Sequence, residues 1–319
     1  MEHVPVIDLP AAEEGQGLSE LDAACRDHGF FLLANHDADQ AISDMWRQAS
    51  EFFSSPREEL LKIERTAEEP LGYYDKELTK RKRDLKQVFD FARPSADHDR
   101  HNRWPAQLPG FRQGMSDYYE AMSGLAARVM TLLHKALGVP EGSLLGDADT
   151  SNVRLNNYPV ADPLSDKEQA ETTTLGDMAL HHHTDPGLVT LLVQDDTGGL
   201  QTLSTEHGWI DVPPREGTII VNLGDSVQAW SNDIYKAAVH RVVPMTHKSR
   251  MSTPYFYHPA REAIIAPHPD LAAGAPLYRP FSWKEFIQSR VDDNFTDLGA
   301  DDTQVSQYRL PPAVPHTGP

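Results

Sequence analysis

The chain has 319 residues, of which 39% are hydrophobic and 24% are charged, so it can bury a substantial core and does not have the composition of a disordered protein. That length accommodates two average domains or one large β-built domain. The formal net charge of −19 would repel a nucleic-acid duplex or an anionic membrane surface, which argues against either as the main partner.

A single cysteine, Cys25, excludes a disulfide framework and a thiolate metal cluster. It lies on the apolar face of a predicted helix, where a core role is favoured over a nucleophilic one. The N-terminal MEHVPVIDLP has no basic start, and no apolar run is long enough to cross a bilayer. We therefore expect a cytoplasmic protein without a signal peptide.

The first third of the chain predicts alternating strands and helices. The predicted elements are a strand over 4–9, a helix over 18–29, a strand over 30–36, a helix over 39–53 and a helix from 55. Ser55 is the expected cap of the last helix, with Pro56 at its first helical position.

Residues 66–110 are polar and proline-containing, and the sequence predicts an irregular segment there. It contains a basic run, for which a solvated helix face or loop is the favoured interpretation. The run comprises Lys80, Arg81, Lys82, Arg83 and Lys86. A long helix is predicted over 112–137, because apolar residues recur along one face of it.

From residue 151 the pattern changes to short β-rich runs separated by turns. These runs cover 151–159, 187–194, 199–204, 208–212, 217–224, 237–243 and 250–259. Seven or eight short strands at this spacing predict a sandwich or jelly-roll barrel. A final helix is predicted over SWKEFIQSR, where Ser282 and Glu285 form a capping-box pattern, and the proline-rich tail from 311 is expected to fray. The predicted fold class is mainly β with flanking helices (α+β).

The stretch HHHTDP, at 181–186, raises the question of a metal site. His-x-Asp is a weak pattern by itself, since His268-Pro269-Asp270 repeats it. A redox iron site of the facial-triad type needs two imidazoles and one carboxylate, and leaves the opposite positions open. After Asp185 comes His240, in the apolar strand AAVHRVV, where a histidine is otherwise costly to bury. After Asp270 the only histidine is His316, in the tail, so the second His-x-Asp sequence lacks a suitable third ligand.

Arg250 and Ser252 follow at the start of the next strand. Residues two apart on a strand point to the same side. A guanidinium and a hydroxyl side by side in an apolar barrel would bind a carboxylate. Alone, Arg250 would be interpreted as an exposed strand-edge arginine, but together with the His-Asp-His set it indicates a carboxylate site.

The ordered motifs resemble the iron(II)/2-oxoglutarate-dependent dioxygenases, in the branch that includes isopenicillin N synthase and the plant flavonoid and gibberellin oxidases. The motifs are RLNNYP, HTDPGLVTLLVQDDTGGLQ, GTIIVNLGDSVQAWSNDIYKAAVHRVV and RMSTPYFYHP, with ACRDHGFFLLANH before them and YRPFSWKEF after them. The resemblance implies a double-stranded β-helix (jelly-roll) core. We expect an N-terminal region at 1–120, the core with its supporting helix at 121–265, and a C-terminal helix and tail at 266–319, forming one compact unit.

The resemblance also implies the ligands. The ligand histidine is the one two residues before the aspartate, so His183, Asp185 and His240 would hold Fe(II). No family role carries over to His181 or His182, which are expected in a strand-entry loop.

The expected 2-oxoglutarate site consists of four residues. The distal carboxylate of 2-oxoglutarate would pair with Arg250 and Ser252, with help from Tyr158 and Asn156. Asn157 stands where the plant members often have tyrosine, which bears on the substrate side.

The implied reaction uses O2 and converts 2-oxoglutarate to succinate and CO2 while it hydroxylates or desaturates an unactivated C–H bond of a small molecule. An oxidase of the isopenicillin N synthase type, which uses no 2-oxoglutarate, is the alternative, because it shares the His-Asp-His and Arg-x-Ser pattern. A non-catalytic metal- or ligand-binding jelly roll is a third possibility, and its mark would be a missing ligand. We expect a monomer or weak homodimer, and neither a nucleic acid nor a membrane as partner.

Six aromatic residues are candidates for the substrate site, although each fits the core equally well. They are Tyr74, Phe89, Phe91, Phe256, Phe281 and Phe286.

Overall fold

The computed structural model describes residues 4–66, 68–79, 82–95, 99–291 and 304–311. The described strands are β1 (Val6–Asp8), β2 (Phe30–Ala34), β3 (Gly72–Tyr74), β4 (Leu78–Thr79), β5 (Lys82–Arg83), β6 (Gln87–Ala92), β7 (Gly146–Tyr158), β8 (Leu180–His183), β9 (Val189–Gln194), β10 (Leu200–Ser204), β11 (Gly208–Asp211), β12 (Thr218–Leu223), β13 (His240–Val242), β14 (Arg250–Pro259), β15 (Ile264–Ile265) and β16 (Phe281–Ser282). The described α-helices are α1 (Leu9–Glu13), α2 (Leu18–Asp27), α3 (Asp39–Phe53), α4 (Arg57–Leu61), α5 (Phe111–Leu137), α6 (Asp166–Glu171), α7 (Asp225–Trp230), α8 (Pro269–Ala272) and α9 (Trp283–Val291).

Two sheets build the core. The major sheet has eight strands in the order β1-β2-β12-β9-β14-β7-β6-β3, and the minor sheet has four in the order β11-β10-β13-β8. Apolar side chains from both sheets pack into one cluster, which places the sheets face to face. The cluster includes Phe30, Leu32, Leu192 and Ile220 from the major sheet and Leu200, Ile210 and Val242 from the minor one. This is the jelly-roll arrangement with flanking helices, and the predicted fold class is confirmed.

Helices cover the other face of the major sheet. The apolar stripes of α2, α3 and α5 join the central strands in one large core cluster. Strands β9 and β12 are therefore buried over nearly their whole length, and four of the six residues of each are apolar, as expected when both faces are covered. The long helix predicted over 112–137 is confirmed as α5. Among the described residues, we find no helix with the length and apolar character needed to cross a bilayer.

The three-part division of the chain stays a prediction. Helix α5 runs across its first boundary, at residue 120, and strands from both sides of that boundary share the major sheet. Helix α4 begins at Arg57 with Pro56 preceding it, and no side chain caps it, so the predicted Ser55 cap is wrong. At α9, the Glu285 amide donates to Ser282 Oγ at 3.4 Å, as the capping pattern predicts. The tail beyond 311 lies outside the described residues.

The segment 66–110 is not irregular, and this prediction is wrong. It contributes β3 and β6 to the major sheet and forms the β4–β5 pair. The basic run is not a solvated face either: Arg83 and Lys86 are buried, although Lys82 is exposed. Arg83 pairs with Asp162. Lys80 and Arg81 lie outside the described residues.

A buried ion-pair network explains why charged residues occur in and next to these strands. Lys86 Nζ lies 2.6 Å from Glu77 Oε2. Arg154 reaches Glu77 Oε2 at 2.8 Å and Asp90 Oδ1 at 2.7 Å, and Arg65 pairs with the same two carboxylates. Burial raises the pKa of Glu77, but Arg154, Lys86 and Arg65 outweigh it and hold that pKa well below its ordinary value.

We expect Glu77→Gln to lower the free energy of unfolding by about 3–5 kcal/mol, because it leaves buried cations without their shared carboxylate. Urea denaturation measures this change. Glu59→Gln is the control: Glu59 pairs with Lys62 on the surface, and that pair should contribute less than about 1 kcal/mol. Equal losses in both variants would contradict the account of the network.

Candidate active site

Two strands of the minor sheet bring the predicted metal ligands together. His183 ends β8 and His240 begins β13, and the two residues are register partners. Asp185 lies in the turn after β8. Its Oδ1 is 3.7 Å from His183 Nε2 and 3.9 Å from His240 Nε2. The three ligand atoms all lie within 4.8 Å of one another, so two imidazoles and one carboxylate converge on one point.

Backbone carbonyls fix the orientation of both imidazoles. His183 Nδ1 donates to the carbonyl of His181 at 2.8 Å, and His240 Nδ1 donates to that of Ala238 at 2.8 Å. Each Nε2 is left with its lone pair facing the common point. Burial and the repulsion from the neighbouring His240 lower the pKa of His183 to about 3. This ring is therefore neutral and able to coordinate a metal at neutral pH.

Two neighbours orient the Asp185 carboxylate. Thr190 Oγ1 donates to Oδ2 at 2.5 Å, and Asn222 Nδ2 donates to the same atom at 2.9 Å. Oδ1 is thereby left for a metal. Burial raises the pKa of Asp185, but the two histidines and these hydrogen bonds outweigh it and hold the pKa below its ordinary value. Neither Thr190 nor Asn222 was predicted from the sequence.

We expect Thr190→Val to weaken Fe(II) binding by about 10–100-fold, because outer hydrogen-bond partners orient a ligating carboxylate. Anaerobic titration with Fe(II) measures the affinity. Thr218→Val is the matched control, since Thr218 is on β12 and its hydroxyl donates only to the carbonyl of Arg215. Unchanged affinity in Thr190→Val would show that Asp185 is held by other means.

A second loop clamps the ligand turn. The Asp225 amide donates to the Asp185 carbonyl at 2.8 Å, and Ser226 Oγ donates to the Pro186 carbonyl at 2.8 Å. A Cβ on Gly224 would lie 2.3 Å from the carbonyl oxygen of Gly187, so only glycine permits this approach. These residues belong to the GTIIVNLGDS run, but their contact with the ligand turn depends on tertiary structure.

The predicted carboxylate site lies where β7 and β14 pair. Arg250 is the register partner of Tyr158, and Ser252 that of Asn156. Arg250 is 1% exposed. Its guanidinium donates to Ser252 Oγ at 3.1 Å and lies 5.1 Å from the Tyr158 ring centroid. It also donates to Gln194 Oε1 at 2.8 Å, and Gln194 was not predicted.

Arg250 meets the requirement for binding an anion. Its Nε is buried without a hydrogen-bond partner, and among the described residues it forms no salt bridge. An unpaired buried charge is costly, so this guanidinium suits a ligand carboxylate. The structure thus brings together the four residues expected around the distal carboxylate of 2-oxoglutarate, on a wall of the cavity that also contains the His-Asp-His set.

His181 and His182 are part of strand β8, not of a strand-entry loop. His181 is buried and hydrogen-bonds Asp84 Oδ1 and Asp177 Oδ1, both at 3.1 Å. These contacts raise the pKa of His181 above its ordinary value, and the hydrogen bond with Asp84 contributes most. His182 is exposed, with its ring 6.3 Å from that of Trp209. His181 therefore links the minor sheet to the ion-pair network rather than to the metal site.

Of the six aromatic candidates, Phe256 lines the cavity. Phe89 and Phe91 are fully buried in an aromatic cluster with Phe52, Phe111 and Trp104. Phe281 and Phe286 are buried against each other and Tyr308. Tyr74 lies under the Arg65 guanidinium. The structure thus places these five outside the cavity wall, because each packs in the core or against the ion-pair network.

Comparison with known proteins agrees with this geometry. The profile of the 2OG-Fe(II) oxygenase superfamily matches residues 150–259, and that of the non-haem dioxygenase in morphine synthesis N-terminal region matches 4–109. Naringenin,2-oxoglutarate 3-dioxygenase of Matthiola incana is 34% identical over 83% of this chain and 75% of its own. The chain belongs to the 2OG-Fe(II) oxygenase superfamily.

Other known proteins match over almost the full length. Gibberellin 2-beta-dioxygenase 1 of Arabidopsis thaliana is 31% identical over 92% of this chain and 90% of its own. The crystal structure of a full-length Neurospora crassa protein in complex with alpha-KG superposes with a TM-score of 0.78, at 27% identity, over 91% of this chain and 96% of that one. This superfamily member is therefore an oxidoreductase that uses Fe(II) and 2-oxoglutarate, and the comparisons support that function over the oxidase alternative.

Proposed function

We propose that His183, Asp185 and His240 hold Fe(II), and that Arg250 and Ser252, with Tyr158 and Asn156, bind the distal carboxylate of 2-oxoglutarate. The enzyme then oxidises an unactivated C–H bond of a small molecule. The observation that carries this proposal is the convergence of two histidine Nε2 atoms and one carboxylate oxygen in a cavity that also contains a buried arginine with no salt bridge among the described residues.

The donor set fits iron. Two imidazoles and one carboxylate occupy one face of the common point, which leaves the other face for ligands from the cavity. When bound, iron would catalyse oxidation of the C–H bond by O2. In the same reaction 2-oxoglutarate would be converted to succinate and CO2, and succinate would contain one of the two oxygen atoms of O2. Arg250 compensates the charge of the distal carboxylate and sets its position. The apolar walls, Leu192 and Leu200 among them, limit the access of water.

The substrate is proposed to be a small molecule. The relatives include enzymes named for naringenin and for gibberellin, and one crystal structure of the Neurospora crassa protein contains thymine. The cavity beside the ligands has a volume of about 230 Å³, so it admits the reacting part of such a molecule but no folded macromolecule.

The decisive experiment is to add 2-oxoglutarate to the Fe(II) protein without oxygen and to record the visible spectrum. We expect a metal-to-ligand charge-transfer band that His183→Ala abolishes. His182→Ala is the matched control, because His182 lies on the same strand and is exposed. Absence of the band while iron is bound would refute the chelation of 2-oxoglutarate at this site.

A further inference from the structure

Two cavities lie next to each other on the substrate side of the iron ligands. The inner one contains the ligands and has a volume of about 230 Å³, and the outer one has about 680 Å³. They share four lining residues, which are Asn152, Arg154, His258 and Ile287. The inner volume is below the roughly 300 Å³ at which ligand pockets usually begin, and it must also hold 2-oxoglutarate. The substrate therefore extends past the shared residues into the outer cavity.

Strand register explains the position of these residues. On β14, alternate residues from Arg250 to His258 line the inner cavity, and on β7 alternate residues from Asn152 to Tyr158 do so. The Arg250 end of these two rows forms the carboxylate site. At the opposite end, Phe256 is the register partner of Asn152, and His258 is one pleat further along β14. The two rows thus separate a cosubstrate end from a substrate end.

Two polar side chains at the substrate end have hydrogen-bonding atoms without a partner among the described residues. Among the described residues, the Asn152 side chain makes no hydrogen bond, although it is only partly exposed. His258 Nδ1 donates to the Thr150 carbonyl at 3.1 Å, which leaves Nε2 as an acceptor with no partner in the described part of the chain. Burial lowers the pKa of His258 to about 4, so the ring is neutral at neutral pH. Both residues line the two cavities, so a ligand there can supply the hydrogen bonds that these atoms lack.

The charges around the inner cavity are already compensated, with one exception. Arg154 pairs with Asp90 and Glu77, Lys86 pairs with Glu77 and Asp84, and Arg290 Nη1 lies 3.7 Å from Asp225. Arg250 is the exception, and 2-oxoglutarate accounts for it.

A second carboxylate would therefore find no uncompensated cation on the described part of the inner wall, and the lone pair of His258 Nε2 would repel it. A neutral group that can both donate and accept hydrogen bonds meets neither obstacle.

We propose that Asn152 and His258 form a recognition site for an uncharged group of the substrate in which an N–H or O–H donor lies next to a carbonyl acceptor, as in a carboxamide, lactam or imide. This inference rests on the proposed function. The substrate donor binds His258 Nε2, and the Asn152 amide supplies the complementary donor and acceptor. Phe256, whose ring is stacked 6.3 Å from that of His258, covers one side of the planar group.

The test uses 2-naphthamide and 2-naphthoate, two probes of the same shape that differ in charge and in the presence of an N–H donor. Isothermal titration calorimetry on the Fe(II)·2-oxoglutarate protein without oxygen measures their affinities. We expect the amide to bind at least about tenfold more tightly than the carboxylate, because Asn152 and His258 can pair with the amide and the described part of the inner wall offers the carboxylate no free cation besides Arg250, which 2-oxoglutarate occupies. Asn152→Leu and His258→Phe should each weaken binding of the amide by about five- to tenfold, and the phenyl ring preserves the stacking.

Asn157→Leu is the matched control. Asn157 is on the same strand but donates to Gln87 Oε1 at 2.7 Å and lines neither cavity, contrary to the substrate-side position expected from the sequence, so the preference for the amide should persist. The charge-transfer band with 2-oxoglutarate should persist in all three variants. If the wild-type protein lacks that band, the proposed function fails. If the band is present but the carboxylate binds as well as the amide, or neither probe binds, the recognition site alone is refuted.

Discussion

Asp185→Ala should abolish turnover and reduce Fe(II) affinity by more than about a hundredfold. The loss of an outer partner of a metal ligand already costs about 10–100-fold, and this change removes the carboxylate ligand itself. It also leaves two imidazoles 4.3 Å apart, between ring centroids, without the anion that compensates the metal charge. Iron content after anaerobic loading and gel filtration measures the effect, and succinate formation measures the activity.

Asp270→Ala provides the control, because Asp270 stands in the other His-x-Asp sequence. Its carboxylate is exposed and lies 4.0 Å from His268 Nδ1, with no second imidazole nearby among the described residues. This variant should bind iron as the wild type does. Retention of iron in Asp185→Ala, or its loss in Asp270→Ala, would mean that the ligand set has been assigned incorrectly.

The choice between the two His-x-Asp sequences was possible from the sequence because it depended on chain order and hydrophobicity. His240 is conspicuous as the one histidine in a short apolar strand downstream of Asp185. Alternation along β14 likewise predicted that Arg250 and Ser252 share a side, and the two are hydrogen-bonded. Local periodicity was sufficient for both.

Strands β3 to β6 could not be predicted in the same way. Buried charges in and next to these strands break the pattern of apolar residues by which strands are recognised, since Glu77, Lys86 and Asp90 look like surface residues when each is considered alone. Their partner Arg154 is on β7, far away in the chain. Only the tertiary structure shows that these charges compensate each other.

The same limit applies to residues that orient the site. Thr190, Asn222 and Gln194 are ordinary polar residues at strand positions, and each acts through a partner on another segment. The first histidine of HHH gave no local sign of its role either, because the partner of His181, Asp84, lies in the segment whose strands were not predicted.

Arg250→Leu should weaken binding of 2-oxoglutarate by about 2–5 kcal/mol, which is roughly 30-fold to several thousandfold, because the distal carboxylate would be buried without its cation. Fe(II) affinity should be unchanged, since Arg250 is not among the residues that orient the ligands. Titration of the charge-transfer band with 2-oxoglutarate separates the two effects. Arg241→Leu is the matched control: Arg241 also donates to a glutamine, Gln201 at 2.8 Å, but lies over Trp209 outside both cavities.

In the protein without 2-oxoglutarate, we expect Arg250→Leu to have no unfavourable effect, in contrast to its effect on binding of 2-oxoglutarate. Arg250 is then a buried charge that forms no salt bridge among the described residues, so its replacement by leucine should leave the thermal stability of the ligand-free protein unchanged or raise it. Addition of 2-oxoglutarate should stabilise the wild type and not the variant. A loss of stability in the ligand-free variant would indicate that Arg250 holds β14 and β9 together through its hydrogen bond to Gln194, and would contradict the account of Arg250 as a destabilising buried charge.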